Sequence, residues 1–314
     1  MTPSHTSFPG ARPHRSELAV PAIRPELFPK AAAGPADAVF LDLEDSVPEA
    51  EKDRARANAV AAVRDIDWGR KILAVRVNGL DTPHFYKDLI ALLAAGGDRL
   101  DIVMVPKIGD PREPFAVDLL ASQIEASANR GRRVGLGLVI ETAKGLANVE
   151  AIATASPRTE SLHLGVADLA ASLGMRTTAI GGLNPDYASP AGLLDPWHFA
   201  LARVITAARA AGLRPIDGPY GDFRDTEGLE SATRRARALG AEGKMAIHPS
   251  QIPTLNAGFQ PAPHEITQAR RVLAAMESAR QDGRAATALD GKLLDIASIR
   301  QAEALVAKAD LAAG

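Results

Sequence analysis

Two short apolar runs in this chain each end in a carboxylate. The run VGLGLVIE ends at Glu141, and the run SLHLGVAD ends at Asp168. Both runs are typical of buried parallel strands, and the C-terminal ends of such strands carry the catalytic groups of parallel α/β enzymes. Because Mg²⁺ binds carboxylate oxygens, the pair predicts a magnesium site, with Mn²⁺ as an alternative ion. Taken singly, either acid could instead cap a helix or pair with a basic side chain.

A second group of charged residues lies near other predicted strand ends. Arg76 follows a buried run, where a guanidinium needs an acidic partner, and we expect an ion pair with Glu44 or Asp45. Such an arginine could bind a carboxylate or stabilise an enolate oxygen. We expect Asp42, Glu44 and Asp45 to orient Arg76 and Lys107 from behind the site.

The remaining candidates are weaker. Arg24 and Lys30 flank the end of the first predicted strand and would suit a phosphorylated or CoA-type ligand, although their spacing alone favours ordinary surface residues. His248 could act as an acid, a base or a hydrogen-bond donor, and a structural role is equally compatible with its position. No zinc spacing, GxSxG turn or phosphate loop occurs in the sequence.

Composition excludes several classes of function. The 314 residues carry a net charge of −2 without blocks of like charge, so nothing indicates a nucleic-acid partner. The absence of cysteine excludes disulfides and a thiol nucleophile and fits a reducing cytoplasm. No apolar stretch reaches transmembrane length, and the first residues lack the apolar core of a signal peptide. We therefore expect a cytoplasmic protein without a membrane partner.

Apolar runs alternate with helix-period segments along the chain. Continuous hydrophobicity indicates strands that are buried on both faces, and eight such strands with intervening helices predict an α/β fold of the TIM (β/α)₈ barrel class. A doubly wound sheet is the alternative, but the sequence lacks the glycine-rich turn that would favour such a sheet. The predicted strands are 17–22, 38–44, 72–78, 101–107, 134–141, 161–167, 214–217 and 243–248, and the predicted helices are 49–65, 84–95, 114–130, 144–154, 195–211 and 226–239.

The predicted strand ends share a chemical property, since each delivers a charged or polar residue to one face of the barrel. This regularity favours a catalytic face over chance. The residues are Arg24, Glu44 and Asp45, Arg76 and Asn78, Lys107, Glu141, Asp168, Asp217 and His248.

The pattern changes after the last predicted strand. We expect residues 1–15 to form a flexible arm, 16–252 the barrel, and 253–314 a helical extension that serves as a lid or an oligomer contact. Within the extension, 253–263 is predicted to be a proline-rich linker and 264–283 an amphipathic helix. A hairpin-like turn follows at Asp290 and Gly291, and a final helix ends the chain.

Several segments together resemble the citrate lyase β-subunit-like family, and within it the L-malyl-CoA/β-methylmalyl-CoA lyases. The likeness runs from about residue 15 to the C-terminus. One departure is that Ala22 and Ile23 stand where the family usually has a small Gly-Ser pair. The segments are LDLEDSV, VRVNGLDT, VPKIG, VIETAKGLANVEAIA, LGVADLAASLG, RPIDGPYGDFRDTEG, GKMAIHPSQI and DGKLLDIASIRQAEAL.

The resemblance implies more than the residues alone. It implies a TIM barrel that assembles into trimers or hexamers, with a C-terminal lid that reaches a neighbouring subunit. It also implies reversible cleavage of malyl-CoA to acetyl-CoA and glyoxylate, or of β-methylmalyl-CoA to propionyl-CoA and glyoxylate. By motif, it implies that Glu141 and Asp168 bind Mg²⁺, that Arg76 stabilises the enolate, and that Arg24 and Lys30 bind CoA. It implies a substrate pocket lined by Ala167, Asp168, Ile247 and His248. It makes Asp295 the lid carboxylate, which is our general acid/base candidate.

Three other functions remain open at this point. A malyl-CoA thioesterase or a citramalyl-CoA lyase could use the same constellation on the same class of thioester. A non-catalytic subunit that binds an acyl carrier could keep the fold, although the complete set of candidate residues argues against it.

Overall fold

A computed structural model describes residues 12–176, 179–184, 187–189, 192–193 and 195–313. Residues 1–11 of the predicted arm lie outside the described residues. The chain divides into two compact units, one of which includes His14–Asn256 and the other the residues from Ala257 onward.

Within the described residues, eight parallel strands close a barrel, which confirms the predicted TIM-barrel class. Each strand pairs with its neighbours in chain order, and β1 closes the barrel by pairing with both β2 and β8. The strands are β1 Ser16–Pro21, β2 Ala38–Asp42, β3 Ile72–Arg76, β4 Ile102–Val105, β5 Gly135–Ile140, β6 Thr159–Leu164, β7 Arg214–Asp217 and β8 Gly243–Ala246.

Alternate residues of these strands fill the barrel interior with apolar side chains. Phe40 of β2, Met104 of β4 and Val139 of β5 belong to one buried cluster with residues from β3, β7 and β8. The residues between them face outward towards the surrounding helices and are also buried. This burial on both faces explains why the strands read as continuous apolar runs.

Helices follow the strands, as expected for β/α units. The six predicted helices are present, with the segment at 144–154 divided in two, and three short helices were not predicted. The helices of this part are α1 Phe28–Ala33, α2 Lys52–Asp65, α3 Phe85–Ala95, α4 Arg112–Ser127, α5 Ala143–Ala147, α6 Val149–Ala153, α7 Val166–Leu173, α8 His198–Ala210, α9 Thr226–Leu239 and α10 Ile252–Phe259. Short 3₁₀ turns cover Pro25–Leu27, Glu49–Glu51 and Pro249–Gln251, and Ala188–Ser189 pairs with Gly192–Leu193.

Two predicted boundaries were wrong. Strand β6 ends at Leu164, so Asp168 lies in the first turn of α7 rather than at the strand end. Most of the predicted linker 253–263 is helical, because Pro253 falls in the first turn of α10, where its missing N–H removes no intrahelical bond.

The C-terminal unit contains two long helices and a hairpin. Helices α11 Pro263–Gln281 and α12 Ile296–Ala313 pack against each other, and strand β9 Thr287–Leu289 pairs with β10 Lys292–Leu294. Both turn residues, Asp290 and Gly291, have positive φ, which is typical of a tight two-residue hairpin and confirms the predicted turn. Among the helices of the described chain, none is long and apolar enough to cross a membrane.

Candidate active site

Arg76 is held by a two-point ion pair at the carboxyl ends of β2 and β3. These strands pair Asp42 with Arg76 in register. The Nε and Nη2 atoms of Arg76 donate to the two carboxylate oxygens of Asp42 at 2.7 and 2.9 Å. Glu44 and Asp45, the predicted partners, lie at 3.1 and 3.4 Å from Nη1. The main partner is therefore Asp42, because adjacent parallel strands place the two side chains side by side.

Asp42 is saturated with hydrogen bonds. Besides Arg76, it accepts the backbone N–H groups of Glu44 and Ser46 at 3.0 and 3.1 Å. Burial alone would raise the pKa of Asp42, but the Arg76 guanidinium outweighs it and holds this pKa at about 2. Burial would likewise lower the pKa of Arg76, but Asp42 and Glu44 raise it above its ordinary value. The pair therefore stays ionised and presents a rigid guanidinium.

Glu141 follows β5 and carries a buried carboxylate that has too little positive charge around it. Its side chain accepts the backbone N–H of Lys107 at 2.9 Å, and the residue is 3% exposed. Burial raises the pKa of Glu141 to about 8, and the negative charges of Glu44 and Asp168 contribute to the rise. A bound cation would remove this penalty.

Gly165 makes the room that Glu141 occupies. A Cβ atom at position 165 would lie 2.1 Å from Oε2 and 2.5 Å from Cβ of Glu141, so the Glu141 side chain would have to shift. We did not predict this residue. Its only signal in the sequence is a glycine between a strand and a helix, which is equally typical of an ordinary turn.

Lys107 connects the two predicted metal ligands. Its backbone has φ +55°, an uncommon conformation for a residue with a side chain. While its N–H binds Glu141, its ammonium group contacts Glu44 and lies 3.5 Å from both Asp45 and Asp168. Burial opposes the charge of Lys107, but these acids raise its pKa above the ordinary value. The structure thus places Glu141 at the backbone N–H of Lys107 and Asp168 near the ammonium group of the same residue.

These residues fit a magnesium ion. In the described part of the chain, no group of three or more His, Asp or Glu side chains is arranged to enclose a metal. Mg²⁺ does not need such a cage, since it usually binds one or two carboxylates and keeps several water or substrate oxygens. The buried Glu141 and the half-exposed Asp168 offer that donor set.

The predicted CoA-site cations lie apart from this network. Arg24 follows β1, is largely exposed and forms a salt bridge with Glu26. Lys30 is exposed on α1. Ala22 is fully buried, and its N–H donates to the backbone oxygen of Asp42. The exposed cations near the end of β1 are thus available to a ligand without any internal pre-organisation towards it.

The other predicted pocket residues lie on α7 and directly after β8. Ala167 is exposed beside Asp168 on α7. Ile247 and His248 follow β8 and are exposed. His248 stacks on Phe223 with ring centroids 4.6 Å apart, and its Nδ1 accepts the N–H of Ser250 to cap a 3₁₀ turn. His248 therefore has a structural role at this position.

Two predicted rim residues are used inside the protein instead. Asp217 forms a buried ion pair with Lys244 of β8 at 2.5 Å. Asn78 is buried and donates to Asp88, which also binds Arg56. Polar residues at strand ends therefore do not all reach the catalytic face, because some are needed to pair with other buried polar groups.

Asp295 is the N-cap residue of α12 in the C-terminal unit. Its Oδ1 accepts the backbone N–H groups of Ala297 and Ser298 at 2.9 and 3.1 Å. The hydrogen bond from Ser298 and those from the other N–H groups lower the pKa of this exposed carboxyl. Asp295 is accordingly ionised near neutral pH.

A closed parallel barrel with a buried carboxylate and an arginine clamp at its carboxyl edge defines a TIM-barrel protein with an enzyme-like site. Comparison with known families assigns the chain more narrowly. The family model described as HpcH/HpaI aldolase/citrate lyase matches residues 15–249, and the chain belongs to this family.

Individual relatives cover almost the whole chain. It is 48% identical over 307 residues to the L-malyl-CoA/β-methylmalyl-CoA lyase of Cereibacter sphaeroides, covering 96% of each protein. It is 36% identical over 300 residues to a (3S)-malyl-CoA thioesterase of the same organism, again with 96% coverage of each. Among solved structures, protein CitE from Mycobacterium tuberculosis, in complex with magnesium, acetoacetate and coenzyme A, has 33% identity and a TM-score of 0.76. That match covers 96% of this chain and 100% of CitE.

Proposed function

We propose that this protein is a Mg²⁺-dependent carbon–carbon lyase. It cleaves L-malyl-CoA to acetyl-CoA and glyoxylate, and β-methylmalyl-CoA to propionyl-CoA and glyoxylate, or forms these thioesters by the reverse Claisen condensation. The observation that carries the proposal is the uncompensated carboxylate of Glu141, next to Asp168 and near the Arg76 clamp. The 48% identity to a lyase with these substrates in its name supports the choice of reaction.

Arg76 is the residue that would bind the developing enolate oxygen. Cleavage of the carbon–carbon bond leaves negative charge on the thioester oxygen, and a pre-organised cation stabilises that charge without reorganisation. Asp42 holds the guanidinium by two hydrogen bonds, so its position does not depend on the substrate. Asp42 is therefore a positioning residue in this proposal.

Glu141 and Asp168 would hold the metal, which, when bound, polarises the oxygens of a chelating 2-hydroxy or 2-oxo acid. Lys107 holds Glu141 through its backbone N–H, and its ammonium group lies 3.5 Å from Asp168. Mn²⁺ would suit the same oxygen donors. Removal of the ion should therefore abolish turnover but leave the barrel folded.

The C-terminal unit would complete the site from a neighbouring subunit. In this proposal, the segment 253–314 is a lid in a trimer or hexamer, and Asp295 exchanges the proton of the substrate 2-hydroxyl group. The support is the family resemblance together with the exposure and ionised state of Asp295. Residues 16–252 form the barrel in the same scheme.

Arg24 and Lys30 would bind the phosphates of CoA beside Ala22 and Ile23. Ala167, Ile247 and His248 would line the acyl pocket. Exposed guanidinium and ammonium groups suit phosphate recognition. An Arg24→Gln variant should raise KM for the thioester and leave kcat within about twofold, since the lost contact is uniform between ground and transition states.

The thioesterase is the second candidate, because a 36% identical relative bears that name. Purified protein is incubated with malyl-CoA and Mg²⁺, and glyoxylate, acetyl-CoA, free CoA and malate are quantified. Glyoxylate and acetyl-CoA released one to one establish the lyase, whereas free CoA with malate establishes the thioesterase. No turnover of malyl-CoA, β-methylmalyl-CoA or citramalyl-CoA refutes both and indicates a binding subunit.

A further inference from the structure

A polar cavity lies at the opposite end of the barrel from the candidate active site. It has a volume of about 440 Å³ and is lined by the end of α4, the loop 129–133 and Arg158. The loop leads into the amino end of β5, and Arg158 immediately precedes β6. A six-residue strand spans about 20 Å, so the cavity is separate from the residues at the carboxyl edge. Its volume is in the range of small-molecule sites.

Four guanidinium groups line this cavity. They belong to Arg130, Arg132, Arg133 and Arg158, and the acid among the lining residues is Glu125. Such a concentration of forked donors around one space is the arrangement that recognises oxyanions.

Arg158 forms the fixed floor of the group. It is buried and donates to both oxygens of Glu125, to Asp118 and to the backbone oxygen of Val134. The negative charge of Glu125 is thus already committed to Arg158 and to the N–H of Val134. Glu125 therefore cannot also neutralise the arginines of the loop.

Arg130 is the unsatisfied member. Its side chain is 3% exposed, its Nη1 donates to a backbone oxygen, and its Nη2 has no acceptor among the described residues. The nearest acid, Asp98, lies 3.8 Å from Nε, beyond hydrogen-bond distance. Burial lowers the pKa of Arg130, and Arg132 and Arg158 lower it further. A buried guanidinium with an unused donor is costly. Because Nη2 is closed to solvent, an anion in the cavity supplies the missing acceptor only if the loop 129–133 shifts.

Arg132 and Arg133 extend the group to the surface. They contact Asp101 and Asp118 at 2.7 and 3.2 Å through Nη2, and their side chains are 48% and 63% exposed. Each retains donors that a ligand can reach, because each has five N–H groups and only one such contact. The cavity thus has a buried cation at its base and two exposed cations at its mouth.

We propose that this cavity binds a small phosphorylated molecule through a diphosphate group. Two linked phosphates match several guanidiniums around one space, because each phosphate takes a bidentate arginine and the pair carries more than one negative charge. Inorganic pyrophosphate and a nucleoside diphosphate share this chemistry. The site is independent of the lyase reaction and of the metal.

The test is calorimetric titration of the full-length protein and of its Arg24→Gln variant with pyrophosphate and with ADP. We expect a saturable site with a Kd of about 1 mM or tighter that the Arg24→Gln variant retains. Arg130→Gln and the surface variant Arg133→Gln should each weaken binding at least about tenfold, the value of one charge-assisted hydrogen bond. Arg64→Gln, an exposed arginine on α2 that pairs with Asp65, is the matched control and should bind as the parent does.

The outcomes separate the alternatives. Tighter binding of ADP than of pyrophosphate identifies a nucleotide ligand, and the reverse identifies the free anion. The proposal is overturned if no saturable binding occurs, or if Arg130→Gln and Arg133→Gln bind like Arg64→Gln. It is also overturned if Arg24→Gln abolishes binding, which would assign the heat to the thioester site. Because Arg133 is exposed, its variant remains informative even if Arg130→Gln does not fold.

Discussion

Replacing Glu141 by glutamine should stabilise the metal-free protein at alkaline pH. The wild-type carboxyl has a pKa of about 8 in the folded state against an ordinary value of 4.5, because it is buried near two other acids. The folded state therefore binds more protons than the unfolded state between these values, and stability falls as the pH rises through that window. Glutamine has the shape of glutamate but carries no charge, so the stability of the Glu141→Gln variant does not fall in this way as the pH rises.

The size of the effect follows from the shift. A difference of about 3.5 pH units corresponds to about 5 kcal/mol at about 1.4 kcal/mol per unit, which is an upper limit because relaxation and water entry reduce buried-charge penalties. We expect Glu141→Gln to gain about 2–4 kcal/mol over wild type at pH 9 in EDTA. Near pH 4.5 the two proteins should have nearly equal stability.

Urea unfolding at pH 5, 7 and 9, with EDTA and with excess Mg²⁺, measures both consequences. Mg²⁺ should raise the stability of wild type strongly at pH 9, because the metal binds the ionised carboxylate, and should leave Glu141→Gln unchanged. Glu230→Gln is the control, since Glu230 is exposed on α9. Equal pH slopes for wild type and Glu141→Gln in EDTA would refute the reasoning, as would equal stabilisation of both by Mg²⁺.

Three further predictions concern the same edge of the barrel, and a fourth concerns the C-terminal unit. Asp42→Asn should lower kcat about 100-fold with a small change in KM, since it loosens the guanidinium clamp; steady-state kinetics with a normal kcat would contradict this. Gly165→Ala should abolish Mg²⁺ binding in calorimetry, because the new methyl group displaces the carboxylate of Glu141, and unchanged affinity would exclude that packing argument. Lys107→Gly keeps the positive φ and the N–H but removes the ammonium group, so Mg²⁺ affinity should rise about tenfold through lost repulsion; weaker binding would instead assign the ammonium a positioning role. Inactive Asp295→Ala and Glu141→Ala subunits, once exchanged, should regain partial activity, and failure after confirmed exchange would count against a shared lid.

The barrel could be predicted from the sequence because its strands are buried on both faces. Their apolar runs are short, continuous and bounded by polar residues, so each strand was located to within a few residues. The run SLHLGVADLAASLG was divided wrongly, because its apolar residues suit a strand and a helix equally well over a short stretch. Helix α10 was missed for a different reason, since its proline suggested a linker.

The residue types at the strand ends could also be read from the sequence, but the partners of these residues could not all be predicted from it. Asp42 reads as one of three acids in LDLEDSV, and only the register of β2 and β3 shows that it binds Arg76 at two points. Gly165 and the arginines around the polar cavity carried no signal that separates them from ordinary turn or surface residues.

The sequence by itself determined the fold class, the family resemblance and the supply of carboxylates, arginines and lysines, because these depend on residue type and order. Only the tertiary structure decided which charges neutralise each other and which remain uncompensated. Asp42 stays ionised beside Arg76, while Glu141 holds a proton to about pH 8. The physical reason is that a carboxyl group's pKa depends on its burial and on neighbours from other strands, and folding alone brings those neighbours together.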